Sequence, residues 1–287
     1  MSHNKESRLS EEEMMRRICE AGDFLQGLLG SFKPMVGLVL GSGLGDLAEE
    51  ILDPVVVDYR DVPHFPRSTV PGHAGRFVAG KLQGQDVLCM QGRFHYYEGY
   101  SMFEVTLPIR VMQYLGIGIL IVTNACGGMN RDFAAGDLML INDHINMTGD
   151  NPLIGENLPE FGPRFPDMSE AYCPRLRALA REVGRELGIK LQEGVYVSIS
   201  GPSYCTPAEL IFLRKAGGDT VGMSTVPEVI VANHGGQQVL GISCVTDMAI
   251  GEDLEKLDHE MVVAMANKTK PRFITLVKGI LERLADV

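Results

Sequence analysis

Along this chain, short unbroken apolar runs alternate with segments whose apolar positions recur every three or four residues. The runs are "MVGLVLG" (35–41), "PVVVDY" (54–59), the two halves of "RFVAGKLQGQDVLCMQG" (76–92), "IGILIVTNACGG" (117–128), "GDLMLINDHIN" (136–146), "EGVYVSISGPSY" (193–204), "DTVGMS" (219–224) and "QVLGISCVTDMAIG" (238–251). Their length, β-branched content and glycine boundaries predict strands. The pair within 76–92 turns at Gly84 and Gln85. Helical spacing covers the first 30 residues, where Met14, Ile18, Phe24 and Leu25 share a face. It recurs over 102–116 in spite of Pro108, and over 174–188, 207–217, 226–236 and 259–287. "GSGLGDLAEEI" (41–51) reads as a glycine loop opening into a further helix. "NPLIGENLPEFGPRFPDM" (151–168) is rich in Pro and Gly but short and aromatic, which predicts an ordered surface loop and not a linker.

Strands and helices alternate throughout, with no repeat, low-complexity stretch or break in composition. This predicts one α/β domain over 1–287 with a mixed or parallel central sheet, and 1–30 as an N-terminal helical extension. In such sheets ligands bind where strands end and loops begin. The loops after 41, 91, 124, 200, 223 and 246 are therefore where chemistry is expected.

Composition narrows the partners. The 287 residues are 45% hydrophobic and 22% charged, with a net charge of −11. A negative surface argues against nucleic acid and anionic membranes as partners, which need a positive field, but leaves room for a small anion held by a local Arg or by backbone amides. The cysteines are Cys19, Cys89, Cys126, Cys173, Cys205 and Cys244. None forms a C-x-x-C pair or a Cys/His cluster with zinc spacing, so free thiols in a reducing compartment are expected, and no metal site. The charged, amphipathic first segment lacks the apolar core of a signal peptide, and no apolar run reaches 18 residues. A cytoplasmic protein is the expectation.

Four loops carry polar groups of one kind. "GSGLG" (41–45) follows a strand, but its G-x-G-x-G spacing and the early Asp58 do not fit a dinucleotide fingerprint. It is either a tight turn or a nest of N–H groups for one phosphate, with Ser42 as a further donor. In "QGRFHYYEGY" (91–100), Arg93 and His95 alternate and so point the same way from an extended segment. Arg suits phosphate, and Glu98 is placed to orient the His95 imidazole; an ion-paired surface turn is the alternative. "TNACGG" (123–128) ends the most apolar strand with residues small enough for close backbone approach. "VGMSTVPE" (221–228) puts Met223 and Ser224 at another strand end, with Pro227 and Glu228 opening a helix. Met223 is either the apolar floor of a site or core packing.

Taken together, these loops resemble one family, the trimeric purine nucleoside phosphorylases. The resemblance runs in order through "GLVLGSGLG", "VPHFPRSTVPGHAGRF", "MQGRFHYYEGY", "LPIRVM", "VTNACGG", "GDLMLINDHIN", "FGPRFPDMSEAY", "EGVY", "GPSY", "VGMSTVPEVIVA" and "DHEMV". It implies a central, mixed, barrel-like sheet flanked by helices, a homotrimer, and attack of inorganic phosphate on C1′ of a nucleoside, with no cofactor. By position it implies phosphate contacts at Ser42, Arg93, His95, Ala125 and Ser224, with His73 in the loop over the phosphate. It implies ribose contacts at Tyr97, Met223 and His259. The base would meet Tyr204, Val221 and the residues at 205 and 247, with Phe165 lent by the neighbouring subunit. Ser42, Arg93, His95 and Asp247 would carry the catalysis.

Two positions depart from the family's pattern. Where it places Glu and Asn to hold a 6-oxopurine, this chain has Cys205 and Asp247. In isolation Cys205 is open to reading as nucleophile, metal ligand, redox partner or pocket wall; the resemblance implies a wall. Losing the Glu removes a charge-assisted hydrogen bond. An ionised Asp247 only accepts, which favours a base bearing an exocyclic amine, such as adenine or cytosine; a protonated Asp247 can donate to N7. The related methylthioadenosine phosphorylases also have a small residue and an Asp here, whereas His259 suits a 5′-hydroxyl. A nucleoside-binding protein without catalysis and a hydrolase using water are further alternatives. A complete phosphate site argues against both.

Overall fold

The structure, a computed structural model, describes residues 9–70, 73–254 and 259–284. Helix α1 (Glu11–Leu29) starts where the Ser10 side chain accepts from the Glu13 amide, with Glu11, Glu12 and Glu13 set against the positive end of the helix dipole. Strand β1 (Val36–Leu40) follows, buried along its whole length. The expected helix after the glycine loop is only a short 3₁₀ turn, Gly45–Glu50. Strands β2 (Leu52–Asp58), β3 (Arg76–Leu82) and β4 (Gln85–Gln91) form an antiparallel meander. Helix α2 (Met102–Tyr114) keeps Pro108 in its interior and is capped by Ser101 and Glu104.

Strand β5 (Ile119–Gly128) is the hub. It pairs in parallel with β1 and with β9 (Gln238–Met248), and at its end antiparallel with β8 (Thr220–Gly222). Strands β6 (Leu138–Met147) and β7 (Leu191–Ile199) complete a nine-stranded sheet ordered β2-β3-β4-β1-β5-β8-β7-β6-β9. Because β9 also pairs with β5, the last five strands close on themselves. The sheet is thus part open and part barrel, as the resemblance implied.

Helices cover both faces. α1, α2 and α5 (Val226–His234) bury Ile18, Leu25, Leu107, Val111, Val229 and Val231 in one core. α3 (Pro174–Glu186) and α6 (His259–Glu282) bury Leu176, Val183, Phe273, Leu276, Val277 and Ile280 in the other. Full burial of each such side chain contributes roughly 1.5–3 kcal/mol. Helix α4 (Pro207–Lys215) closes a small third core of Met129, Val197, Leu210, Leu213, Val221 and Ala249. No helix of the described residues is long and apolar enough to cross a membrane.

Three-residue β8 is too short to hold itself by ladder bonds alone. Asp219 staples it on both sides. One carboxylate oxygen accepts from the Val195 amide at 2.8 Å and the other from Asn130 Nδ2 at 2.8 Å, while its carbonyl accepts from the Met129 amide at 2.8 Å. Asp219→Ala leaves the part-buried Val195 amide and Asn130 side-chain amide unpaired, while the bond to the residue-219 carbonyl remains. Urea titration is expected to show a loss of about 1.5–3 kcal/mol, against less than half of that for Asp219→Asn, which keeps an acceptor.

Candidate functional site

A cleft of about 680 Å³ opens where β1, β4, β5, β8 and β9 end. Ser42, Arg93, His95, Tyr97, Ala125, Tyr204, Cys205, Val221, Met223, Ser224 and Asp247 all line it. Residues from six separate loops, singled out in the sequence for different reasons, thus share one wall.

Arg93 fixes one end. Its side chain is 1% exposed, and Nε and Nη2 donate to the two carboxylate oxygens of Glu228 at 3.0 and 2.9 Å. Nη1 donates to the Thr123 carbonyl and lies 3.4 Å from Ser224 Oγ. The guanidinium is clamped along its Nε–Nη2 edge, its Nη1 reaches Thr123 and Ser224, and the side chain is part of the cleft lining, where such a fork suits an oxyanion. The backbone crowds it: a Cβ on Gly41 would lie 2.9 Å from the Thr123 oxygen and 3.2 Å from Arg93 Nη1. Glycine at 41 lets the "GSG" loop approach the guanidinium. A burial of this depth removes the alternative of an ion-paired surface turn.

His95 is held from behind. Its Nδ1 lies 3.1 Å from Glu98 Oε1, and Glu98 also accepts from the His95 amide at 2.7 Å. The other Glu98 oxygen accepts from the amide and hydroxyl of Thr69. Burial alone would raise the Glu98 carboxyl, but bonds from His95 and Thr69 outweigh it and hold the group at about 2. Burial lowers the His95 imidazole and Glu98 partly restores it. With Nδ1 committed to Glu98, Nε2 is the ring atom free to meet a ligand. The Tyr97 ring stacks on the imidazole at 4.7 Å between centroids.

His73 stands one residue behind the cleft wall and is not part of the lining. Its Nε2 lies 3.2 Å from Ser42 Oγ and its Nδ1 is 3.1 Å from the Arg93 carbonyl. The contact it makes here is with Ser42, which itself lines the cleft. Burial, with repulsion from His95, pushes its imidazole down to about 4.

The opposite end is apolar with one acid. Tyr204, 49% exposed, stands at the mouth, and Cys205 packs against the small core under α4. Burial raises the Cys205 thiol to about 11, with Glu209 adding to the shift. It is a protonated side chain, which removes the nucleophile reading. Asp247 reaches the wall through a β-bulge. Cys126 pairs with Val245 and Gly127 with Asp247, so Thr246 is the extra residue. Thr246 Oγ1 lies 2.8 Å from Asp247 Oδ1. Burial raises the Asp247 carboxyl, and that hydrogen bond offsets it only in part. A Cβ on Gly127 would lie 3.1 Å from Asp247 Oδ2, so glycine there makes room for the carboxyl.

Phe165 does not line this cleft. It is 88% exposed on the 151–168 loop, with the Arg164 guanidinium 5.9 Å from its ring centre. The side chain of His259 lies outside the described residues, so its expected ribose contact does too. Glu228, Thr69 and Gly127 went unassigned in the sequence. Glu228 had a signal: it is the one charge in the otherwise apolar "VPEVIVA". Among the described residues, no group of three His, Cys, Asp or Glu side chains is placed to hold a metal ion.

The closed mixed sheet and a cleft with an arginine–histidine end and an aromatic, apolar end define the phosphorylase superfamily, whose model matches residues 35–282. The chain is 56% identical to purine nucleoside phosphorylase 1 of Bacillus subtilis over 93% of its own length and 98% of the relative's. It is 48% identical to the purine nucleoside phosphorylase of Mus musculus over 86% and 89%. A solved structure of isoform 2 of the Schistosoma mansoni purine nucleoside phosphorylase, in complex with cytosine and ribose-1-phosphate, superimposes with a TM-score of 0.90 at 43% identity, covering 94% of this chain and 96% of that one. The chain belongs to the purine nucleoside phosphorylases. It is a pentosyltransferase of nucleoside metabolism.

Two outcomes follow from the buried groups. Glu228→Ala strands the Arg93 charge out of water. It is expected to cost about 3–5 kcal/mol in urea unfolding and to abolish measurable turnover, whereas an exposed control such as Glu170→Ala changes neither. The second concerns His73. A histidine held at about 4 in the fold but near 6.5 when unfolded stabilises above pH 6.5, and that contribution is lost as pH falls towards 4. The melting temperature should therefore fall more steeply over that window in the wild type than in His73→Gln.

Proposed function

We propose that the enzyme catalyses reversible phosphorolysis of nucleosides to free base and ribose 1-phosphate, with a base preference shifted towards amino-bearing bases. Phosphate bound by Arg93, Ser42, Ser224, His95 and the backbone at Ala125 sits beside C1′. As the C1′–N bond lengthens, the ribosyl group gains positive charge, which the phosphate dianion stabilises and then captures. Tyr97, Met223 and His259 hold the ribose. Fixed donors and positioning suffice, so neither metal nor organic cofactor takes part. In this reading the enzyme is a cytoplasmic homotrimer, and each Phe165 reaches into a neighbour's cleft.

One observation carries the base preference: the base wall holds a half-buried carboxyl, Asp247, hydrogen-bonded by Thr246, together with a protonated thiol at Cys205. Neither group reproduces the Glu and Asn pair that holds a 6-oxopurine. The carboxylate accepts from an exocyclic amine and repels O6, while its protonated form donates to N7 of the leaving base. The Schistosoma mansoni enzymes support a tolerant scaffold, since their structures include complexes with adenosine and with inosine, and for isoform 2 with cytosine and ribose-1-phosphate.

The test is base release from inosine, guanosine, adenosine, methylthioadenosine and cytidine, each with and without phosphate. Release should require phosphate and be fastest with an amino-bearing base. Cys205→Glu combined with Asp247→Asn should raise kcat/KM for inosine by about ten- to a hundredfold, the worth of one charge-assisted hydrogen bond. Unchanged inosine kinetics in that variant would remove the base-selectivity reading. Release without phosphate would remove the phosphorolysis.

A further inference from the structure

Between β8 and α5 the chain makes an unusual corner. The Val226 amide donates to the Ser224 carbonyl at 2.8 Å, closing a three-residue turn around Thr225. Thr225 has φ 74° and ψ −54°, is not glycine, is β-branched, and is 1% exposed. A γ-turn with positive φ is rare and strained and persists only where its surroundings hold it. Three contacts do so. Asn124 Nδ2 donates to Thr225 Oγ1 at 3.0 Å, Ser198 Oγ donates to the Ser224 carbonyl at 3.1 Å, and the Thr225 and Ser224 hydroxyl oxygens lie 3.2 Å apart.

Thr225 Oγ1 accepts from Asn124, and either hydroxyl can donate across the Thr225–Ser224 contact. The arrangement that makes use of both neighbours sends the Thr225 proton to Ser224 Oγ. Arg93 Nη1 approaches the same Ser224 oxygen at 3.4 Å. With its oxygen accepting on these two sides, the Ser224 proton is left to point into the cleft. The turn also sets where α5 begins, and the first turn of α5 carries Glu228, which clamps Arg93. One corner therefore governs both the Ser224 donor and the Arg93 fork.

We propose that Thr225 and Asn124 are positioning residues for the anionic substrate. Neither touches it. The chain Asn124 to Thr225 to Ser224 orients the Ser224 hydroxyl as a donor, and the γ-turn places that donor relative to Arg93. This inference rests on the proposed assignment of the Arg93–Ser224 end to phosphate.

Steady-state kinetics with phosphate and nucleoside varied separately tests it. Thr225→Val keeps the shape and removes the hydroxyl. KM for phosphate should rise about tenfold while KM for nucleoside stays within twofold. Thr225→Ser should restore the wild-type value. Asn124→Asp reverses the chain, because a carboxylate can only accept from Thr225; it should raise the phosphate KM in the same way. Thr225→Gly relieves the positive φ, so it should fold at least as well as Thr225→Val and still show the raised phosphate KM. In Ser224→Ala the further change Thr225→Val should add nothing, since Thr225 acts through Ser224. A phosphate KM within twofold of wild type in Thr225→Val and Thr225→Gly, alongside a raised value in Ser224→Ala, overturns this inference alone. An unchanged phosphate KM in Ser224→Ala overturns the phosphate assignment and this inference with it. Equal rises in both KM values also overturn it, by reducing Thr225 to a structural role.

Discussion

The site depends on one desolvated ion pair. Arg93 and Glu228 lie 135 positions apart in the chain and meet with side chains 1% and 2% exposed. Taking two charges out of water is costly, and only good geometry and further hydrogen bonds repay it. Here the geometry is bidentate and the Thr123 carbonyl supplies the further bond. The pair ties the loop after β4 to the first turn of α5 and holds both against the middle of β5 at Thr123. Remove it and the edges of the cleft lose their common reference. The net stability of such a pair is modest, so its value lies in specifying where one guanidinium edge points.

The second organising group is Glu98. It accepts from His95 on one oxygen and from Thr69 on the other, joining the loop before β3 to the imidazole. A carboxyl held at about 2 remains charged throughout the working range of any ordinary enzyme. The orientation of His95 and the anchoring of that loop therefore share one permanently ionised partner. The far end of the cleft is built otherwise. There a protonated thiol and an acid of raised pKa replace fixed charge, and the wall is soft, apolar and half-buried.

Much of the fold was legible because buried strands advertise themselves. "IGILIVTNACGG" and "QVLGISCVTDMAIG" have no polar alternative to the core, and they became two long staves of the barrel that pair with each other. Pro108 did not break α2, since capping at Ser101 and burial of its apolar face outweigh one missing donor. The turn after "GSGLG" was overestimated as a helix because its six residues carry helix formers but too few to nucleate an α-helix. In the site, strand-end loops and the Arg93/His95 alternation located most of the lining. What stayed hidden depends on distance in space. No spacing rule links Glu228 to Arg93, Thr69 to Glu98 or Asn124 to Thr225. His73 stands in the expected neighbourhood, against Ser42, though a sequence motif records proximity and not which side chain faces the void.

The barrel has a consequence for how this enzyme can change. β5 belongs to both the open sheet and the closed ring, and the arginine–histidine end hangs on strands β1, β4 and β5. The wall bearing Cys205 and Asp247 hangs instead on the loop after β7 and on the end of β9, the strand that closes the ring against β5. Mutations that alter one wall need not strain the staves that carry the other. Such an arrangement behaves as a socket with an exchangeable face: the reaction can be inherited intact while the molecule it releases is renegotiated, two residues at a time.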